Sequence, residues 1–299
     1  RRMQCKNNLK QLSLACHTYH EAFSVFPYAR KYDKWDTYTW TQLVLPYIEQ
    51  QAIYDLYYTL PDRGFAQTYP GPNGPIGDEP RLRQARHAEV AAFYCPSDQS
   101  PTDNEIGSAS YGFKRGNYSG CAGSGDMYGA SVDSTTGPWG VGIFGVVADQ
   151  SFDNGLASVS SSISDARDGT TNTVLMSETV VPRVTPGWGG VFGEIIYGNM
   201  GGALFSSAQT PNASAADQIF GPCPQSLGDT SYEPLCLSIA GSAWWTASAA
   251  GAHAAARSQH PGGVNAAMGD GSVHFYSETI NLATWRGLGT RNGREVVQP

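Results

Sequence analysis

Cys5-Lys-Asn-Asn-Leu-Lys-Gln-Leu-Ser-Leu-Ala-Cys-His-Thr-Tyr-His-Glu-Ala-Phe23 is the stretch whose reading decides the fold. In it and just beyond, Cys5, Leu9, Leu12, Cys16, Tyr19, Phe23 and Phe26 recur at steps of three and four residues. Those steps set the side chains along one stripe of an α-helix, with one face buried. Lys6, Asn7, Lys10, Gln11 and Ser13 fall off the stripe and predict a wet opposite face. No Ser, Thr, Asp or Asn stands ahead of Cys5 as an N-cap, and Arg1, Arg2, Lys6 and Lys10 crowd an end where the helix dipole disfavours cations. The expectation is the lower part of a longer helix, cut at Arg1. Residues 1–26 then form that helix and 27–299 a single head domain.

Downstream, Pro27 ends the periodic run, and a second helical segment follows from Trp40 to Tyr58, broken by Pro46. Leu60 to Pro80 reads as loop, and Val90 to Cys95 as a strand stopped by Pro96. Short strands are expected at Gly116–Cys121, Gly142–Gly145 and, most centrally, Thr173–Ser177. Residues from about 203 to 251 read as a loop-rich insertion. The clearest hairpin joins Val264–Met268 to Ser272–Tyr276 through Asp270-Gly271. In that register Val264, Ala266, Met268, Val273 and Phe275 share one apolar face. A short helix capped by Asn281 and a last strand toward Val297 close the chain. Helices first and strands after predict an α+β fold with an antiparallel sheet.

Composition narrows the function classes. Of the 299 residues 40% are hydrophobic and only 15% charged, so the chain is globular and its surface relies on neutral polar groups. A net charge of −7, with no basic cluster beyond the first ten residues, argues against nucleic-acid binding. No run of roughly 18 apolar residues spans a membrane. Six cysteines without a Cys-x-x-Cys pair fit disulfides in an exported protein better than a zinc site. Cys223 and Cys236 bracket a loop with little hydrophobic content and are the best local pair. Cys5 and Cys16 lie on the buried helical stripe, with Cys95 and Cys121 as candidate partners.

Several landmarks recur in order along the chain: Arg1-Arg-Met-Gln-Cys-Lys-Asn-Asn-Leu-Lys-Gln-Leu12, Leu45-Pro-Tyr-Ile-Glu-Gln50, Phe93-Tyr-Cys-Pro-Ser-Asp98, Asn117-Tyr-Ser-Gly120, Asp168-Gly-Thr-Thr-Asn-Thr173, and His260-Pro-Gly-Gly followed by Asp270-Gly-Ser-Val273. They resemble a large bacterial family with a prepilin-type N-terminal cleavage and methylation signal and a C-terminal motif of His, nine residues, then Asp-Gly. Here Pro261 to Gly269 supply the nine. The resemblance implies a type IV pilin-like or type II secretion pseudopilin-like subunit: an N-terminal helix on an antiparallel sheet, exported to the cell surface or periplasm. It implies self-association into a homo-oligomer or filament and contacts with other envelope pilin-like subunits. The membrane would be reached only through a helix upstream of Arg1. His260, Asp270, Gly271, Asp168 and Gly169 are then structural motif residues.

Rival chemistry has less behind it. His260 with Asp270 could serve a hydrolase, but no Gly-x-Ser-x-Gly elbow, His-Glu-x-x-His or P-loop accompanies them. Asp270 suits a left-handed turn position, and His260 a loop entry where an imidazole ties backbone groups together. No catalytic residue and no cofactor is expected. Calcium, which pseudopilins as a class can use, would have Asp98, Asp165, Asp168, Glu178 and Asp270 near turns to draw on, without an EF-hand loop. His17 and His20 are read as solvent-exposed, not as metal ligands. Asn212 is the sequon worth checking for a glycan. Trp244-Trp245 favours a subunit interface over the glycan platform that an exported carbohydrate-binding module would need.

Overall fold

The computed structural model describes residues 1–30, 39–58, 80–98, 114–145, 160–182, 192–196, 198–221, 223, 235–239 and 250–293. Helix α1 (Arg2–Phe23) runs 22 residues without a side-chain N-cap, and its C-cap is Ser24, left-handed at φ 61°. It buries Cys5, Leu9, Leu12, Ser13, Ala15 and Cys16. The stripe therefore holds over its first two-thirds. Toward the end Phe23 is 57% exposed, while Phe26, past the helix, is buried. Ser13, expected on the wet face, is buried too.

A five-stranded sheet lies under this helix in the order β3-β1-β2-β6-β7, built from β1 (Tyr118–Gly123), β2 (Val174–Glu178), β3 (Leu204–Ser206), β6 (Gly263–Met268) and β7 (Val273–Ser277). β4 (Asp217–Ile219) and β5 (Cys236–Ser238) pair as a separate two-stranded parallel sheet. Around the sheet stand α2 (Trp40–Leu43), α3 (Gln51–Tyr58), α4 (Pro80–Arg86) and α5 (Leu282–Gly289). The class is α+β. Within the main sheet β1–β2, β2–β6 and β6–β7 are antiparallel, but β3 runs parallel to β1. The fully antiparallel expectation is thus corrected to a mixed sheet. β3 returns from β2 by a long connection, and such a connection lets a strand enter parallel where a tight hairpin cannot. β3 also opens the supposed insertion, so that region is partly integral to the sheet.

Both faces of the sheet are covered. Leu9, Leu12, Cys16, Phe26, Leu175, Ala267 and Val273 pack in one core beneath α1, joined by Trp40, whose Nε1 donates to Ala203 O at 2.8 Å. On the other face Cys121, Val174, Phe205, Val264, Ala266, Met268 and Leu288 pack around Trp285 of α5. Asn281 caps α5 as expected, accepting from Thr284 N at 3.1 Å.

The hairpin register differs from the sequence reading. Ala267 faces Val273, Ala266 faces His274 and Asn265 faces Phe275. Its loop is Gly269-Asp270-Gly271, with Met268 N donating to Ser272 O at 2.8 Å, and the left-handed residue is Gly271 at φ 81°. One extra loop residue shifts every pair by one and exchanges the faces of β7. Val273 therefore joins Ala267 under α1, apart from Val264, Ala266 and Met268. Two smaller corrections concern helical turns. Ala91–Phe93 is a 3-10 turn where a strand was expected, and Leu45–Ile48 is another that accommodates Pro46.

Candidate functional site

Four sequence-distant stretches meet under the first turn of α1. Cys5 of α1 is joined to Cys95 by a disulfide across 90 residues. Against it lie Glu178, the last residue of β2, and His260, which precedes β6. All four are buried, and their donor atoms lie within 4.8 Å of one another. Strand register explains why Glu178 is there. It lies one step beyond the Ser177–Ala266 pair, which places its side chain beside Asn265 of β6.

A buried carboxylate is costly unless it is fully hydrogen-bonded. Glu178 meets that requirement. Its Oε2 accepts Asn265 N at 2.7 Å, and its Oε1 accepts Asn265 Nδ2 at 3.0 Å and lies 3.1 Å from His260 Nε2. The Cys95 sulfur touches both groups, at 4.0 Å from Glu178 Oε1 and 3.7 Å from His260 Nε2. An outer ring holds these in place. Asn117 Oδ1 accepts Cys95 N at 2.9 Å, and its Nδ2 donates to Thr179 O at 3.0 Å and to Asp98. Asp98 in turn accepts Val181 N at 2.9 Å. Tyr118 OH donates to Cys5 O at 3.2 Å, and burial, reinforced by the Glu178 charge, pushes its phenol well above the usual range, so it stays neutral. Asn8 adds a bond from its amide to Tyr94 O at 2.7 Å.

Chemically this is a clasp between helix and sheet. His260 takes a carboxylate as its partner, not the pair of backbone groups expected of it. It stands at the start of β6 and Asp270 just past its end, so the motif's His and Asp do not form one site. Asp270 is not left-handed; its carboxylate accepts Ser272 N at 2.8 Å, and the neighbouring Gly271 O accepts Lys10 Nζ at 2.6 Å. The helix is thus held at both ends of β6. Asp168 accepts Gly293 N at 2.7 Å, and Gly169 takes φ 92° in the same turn.

Of the cysteine expectations, Cys5–Cys95 and Cys223–Cys236 are disulfides. Cys16 and Cys121 are corrected to buried free thiols. Burial pushes the Cys121 thiol up to about 12 and the Cys16 thiol further still, so neither is a nucleophile at neutral pH. The acids near turns do not converge. Asp165 is taken up by the Ser162 backbone and hydroxyl, Asp98, Asp168 and Asp270 by backbone N–H groups, and no trio of carboxylates clusters among the described residues. A calcium site has no donor set there. His17 is half-buried, not exposed, with its ring edge-on to Phe26 at 5.5 Å. Asn212, left-handed at φ 53°, accepts Ser258 N at 2.8 Å and donates to Gly263 O at 3.5 Å, so a glycan there would displace a loop contact. Trp244 and Trp245 lie outside the described residues.

Glu178 and Asn265 were not legible as partners of the motif residues. The available signal was an acid closing an apolar strand, which is either a mistake of register or a group with buried partners.

These features define a class: a disulfide-tied α+β head with one long helix fastened across its sheet. The chain belongs to the family described as "Protein of unknown function (DUF1559)", whose match extends over residues 1–283. No curated protein and no solved structure matches the chain.

Proposed function

We propose that this protein is a pilin-like or pseudopilin-like structural subunit of an extracellular or cell-envelope filament or secretion apparatus, working by assembly with copies of itself and with related envelope subunits. One observation supports this reading above the others. The long helix is fastened to the head by a disulfide and by the Tyr118–Cys5, Asn8–Tyr94 and Lys10–Gly271 hydrogen bonds, yet exposed apolar groups lie on and beside it, Met3 and Leu14 on its outer side. Met3 is 76%, Leu14 50% and Phe23 57% exposed, and Phe275, 40% exposed, lies beside Arg2. These are four of the seven large hydrophobic side chains that are exposed among the described residues, so apolar surface concentrates along α1. Met3 and Leu14 are three turns apart and therefore share a side of the helix. Two exposed apolar groups on one side of a helix so firmly held suit a second copy of the same helix. Two disulfides suit an oxidising compartment outside the cytosol. No helix among the described residues is long and apolar enough to cross a membrane.

The test is the yield of filaments sheared from cells that make the natural full-length protein, wild type against Met3→Asp/Leu14→Asp. Loss of sedimentable polymer with an unchanged melting temperature of the head is the expected result. Equal yields from both would refute an α1-mediated assembly.

A further inference from the structure

We infer that the Cys5, Cys95, Glu178 and His260 cluster is also a zinc site, closed while the disulfide is intact and opened by its reduction. The set consists of two sulfurs, an imidazole nitrogen and a carboxylate oxygen, which is ordinary zinc ligand chemistry. The spacing carries the argument. In a tetrahedral site with zinc-ligand bonds of about 2.0–2.3 Å, donor atoms stand about 3.3–3.8 Å apart. Cys95 Sγ lies 3.7 Å from His260 Nε2 and 4.0 Å from Glu178 Oε1, and that oxygen lies 3.1 Å from Nε2. Three donors therefore already occupy one face of a slightly uneven tetrahedron. The fourth, Cys5 Sγ, is bonded to Cys95 Sγ by the disulfide, and all four donor atoms lie within 4.8 Å of one another. Reduction frees it within reach of the other three.

The surroundings fit as well. Asn265 hydrogen-bonds both carboxylate oxygens, as outer partners of metal ligands do. Two thiolates and a carboxylate around a dication leave one net negative charge. Arg1, Arg2 and Lys6 line the cavity beside Asn265.

The steps balance. A dithiol reductant transfers two electrons and two protons to the Cys5–Cys95 bond; two thiols form and the reductant becomes a disulfide. Zinc then binds with release of both thiol protons to solvent. His260 coordinates through Nε2 as its neutral Nδ1–H tautomer; a hydrogen held on Nε2 beforehand leaves to solvent while Nδ1 takes one up, so only the two thiol protons are released in net. The disulfide and the metal are alternative fasteners for the same helix end.

Native mass spectrometry of the purified protein tests this, before and after reduction with a metal-free phosphine and addition of Zn2+. One zinc per reduced chain and none per oxidised chain is expected, with Cys95→Ser and His260→Gln each weakening binding at least about tenfold. Because a variant could misfold, X-ray absorption at the zinc edge of the wild-type complex supplies a second readout, expected to show two sulfur and two nitrogen or oxygen ligands. A reduced wild-type chain that takes up no zinc overturns the inference. So does a ligand shell without sulfur, or zinc uptake equal in the oxidised form. None of these results bears on whether the protein polymerises, so the assembly proposal is judged separately.

Discussion

Glu178 shows how much rests on single buried groups. Its carboxylate accepts two N–H bonds from Asn265 and faces His260, with 1% exposure. Glu178→Ala leaves those donors without an acceptor in a dry site, and an unpartnered buried polar or charged group is strongly destabilising. The expected loss is about 3–5 kcal/mol, measured as the shift in denaturant midpoint multiplied by the slope. His17 carries a pH prediction. Burial, aided by the nearby His20 and Lys10 charges and opposed by a Gly269 backbone bond and Asp270, holds its imidazole below the ordinary 6.5. The unfolded chain thus takes up this proton at a higher pH than the folded one. Stability from this group is full above 6.5 and is lost as pH falls through that value toward the folded pKa. His17→Gln flattens the curve of Tm against pH just below 6.5; a curve identical to wild type would contradict the assignment. Gly271, at φ 81°, is the third residue-scale test. Gly271→Ala forces a left-handed alanine and is expected to cost about 1 kcal/mol in thermal unfolding.

Among elements, α1 and the hairpin show what pattern alone reveals. The stripe from Cys5 to Cys16 was readable because one face of α1 meets a continuous core. Phe23 was not: it lies on the same stripe, yet past Cys16 no stripe residue of α1 is fully buried, and Phe23 stays 57% exposed with the Tyr19 ring 4.5 Å from its own. Hairpin strands were readable from alternation and Asp-Gly, but their register depended on whether the loop held two residues or three, and local sequence does not decide that. β6, buried on both faces, has no polar side to reveal a slip. The site was half legible: the landmark residues Cys5, Cys95, Asn117 and His260 all arrive at it. Their convergence on Glu178 depends on long-range pairing that no spacing encodes. The two disulfides differ in expected effect. Cys5–Cys95 closes a loop of 90 residues and Cys223–Cys236 one of 13. In the chain-entropy model the first stabilises by about 4.5 kcal/mol and the second by about 3. Cys5→Ala/Cys95→Ala should therefore lower the denaturant midpoint more than Cys223→Ala/Cys236→Ala. The reverse order would show that the helix clasp is held chiefly by its polar contacts.

For the whole molecule, the features combine into one mechanical layout. A long helix lies across β2, β6 and β7, fastened at its first turn by the clasp and at mid-length by Lys10 on the hairpin tip. A load applied along α1 therefore passes to the sheet at two points. The low charge content leaves neighbouring copies little repulsion to overcome, and the exposed Met3 and Leu14 give α1 an outer side to bury. The proposed filament role draws on that combination of a helix held firmly to its head and exposed apolar groups along it. The most direct measurement is electron cryo-microscopy of particles sheared from cells producing the full-length protein. Helical polymers are expected, with α1 facing the filament axis and Met3 and Leu14 buried between subunits. Monodisperse single heads, or polymers with α1 turned toward solvent, would contradict it.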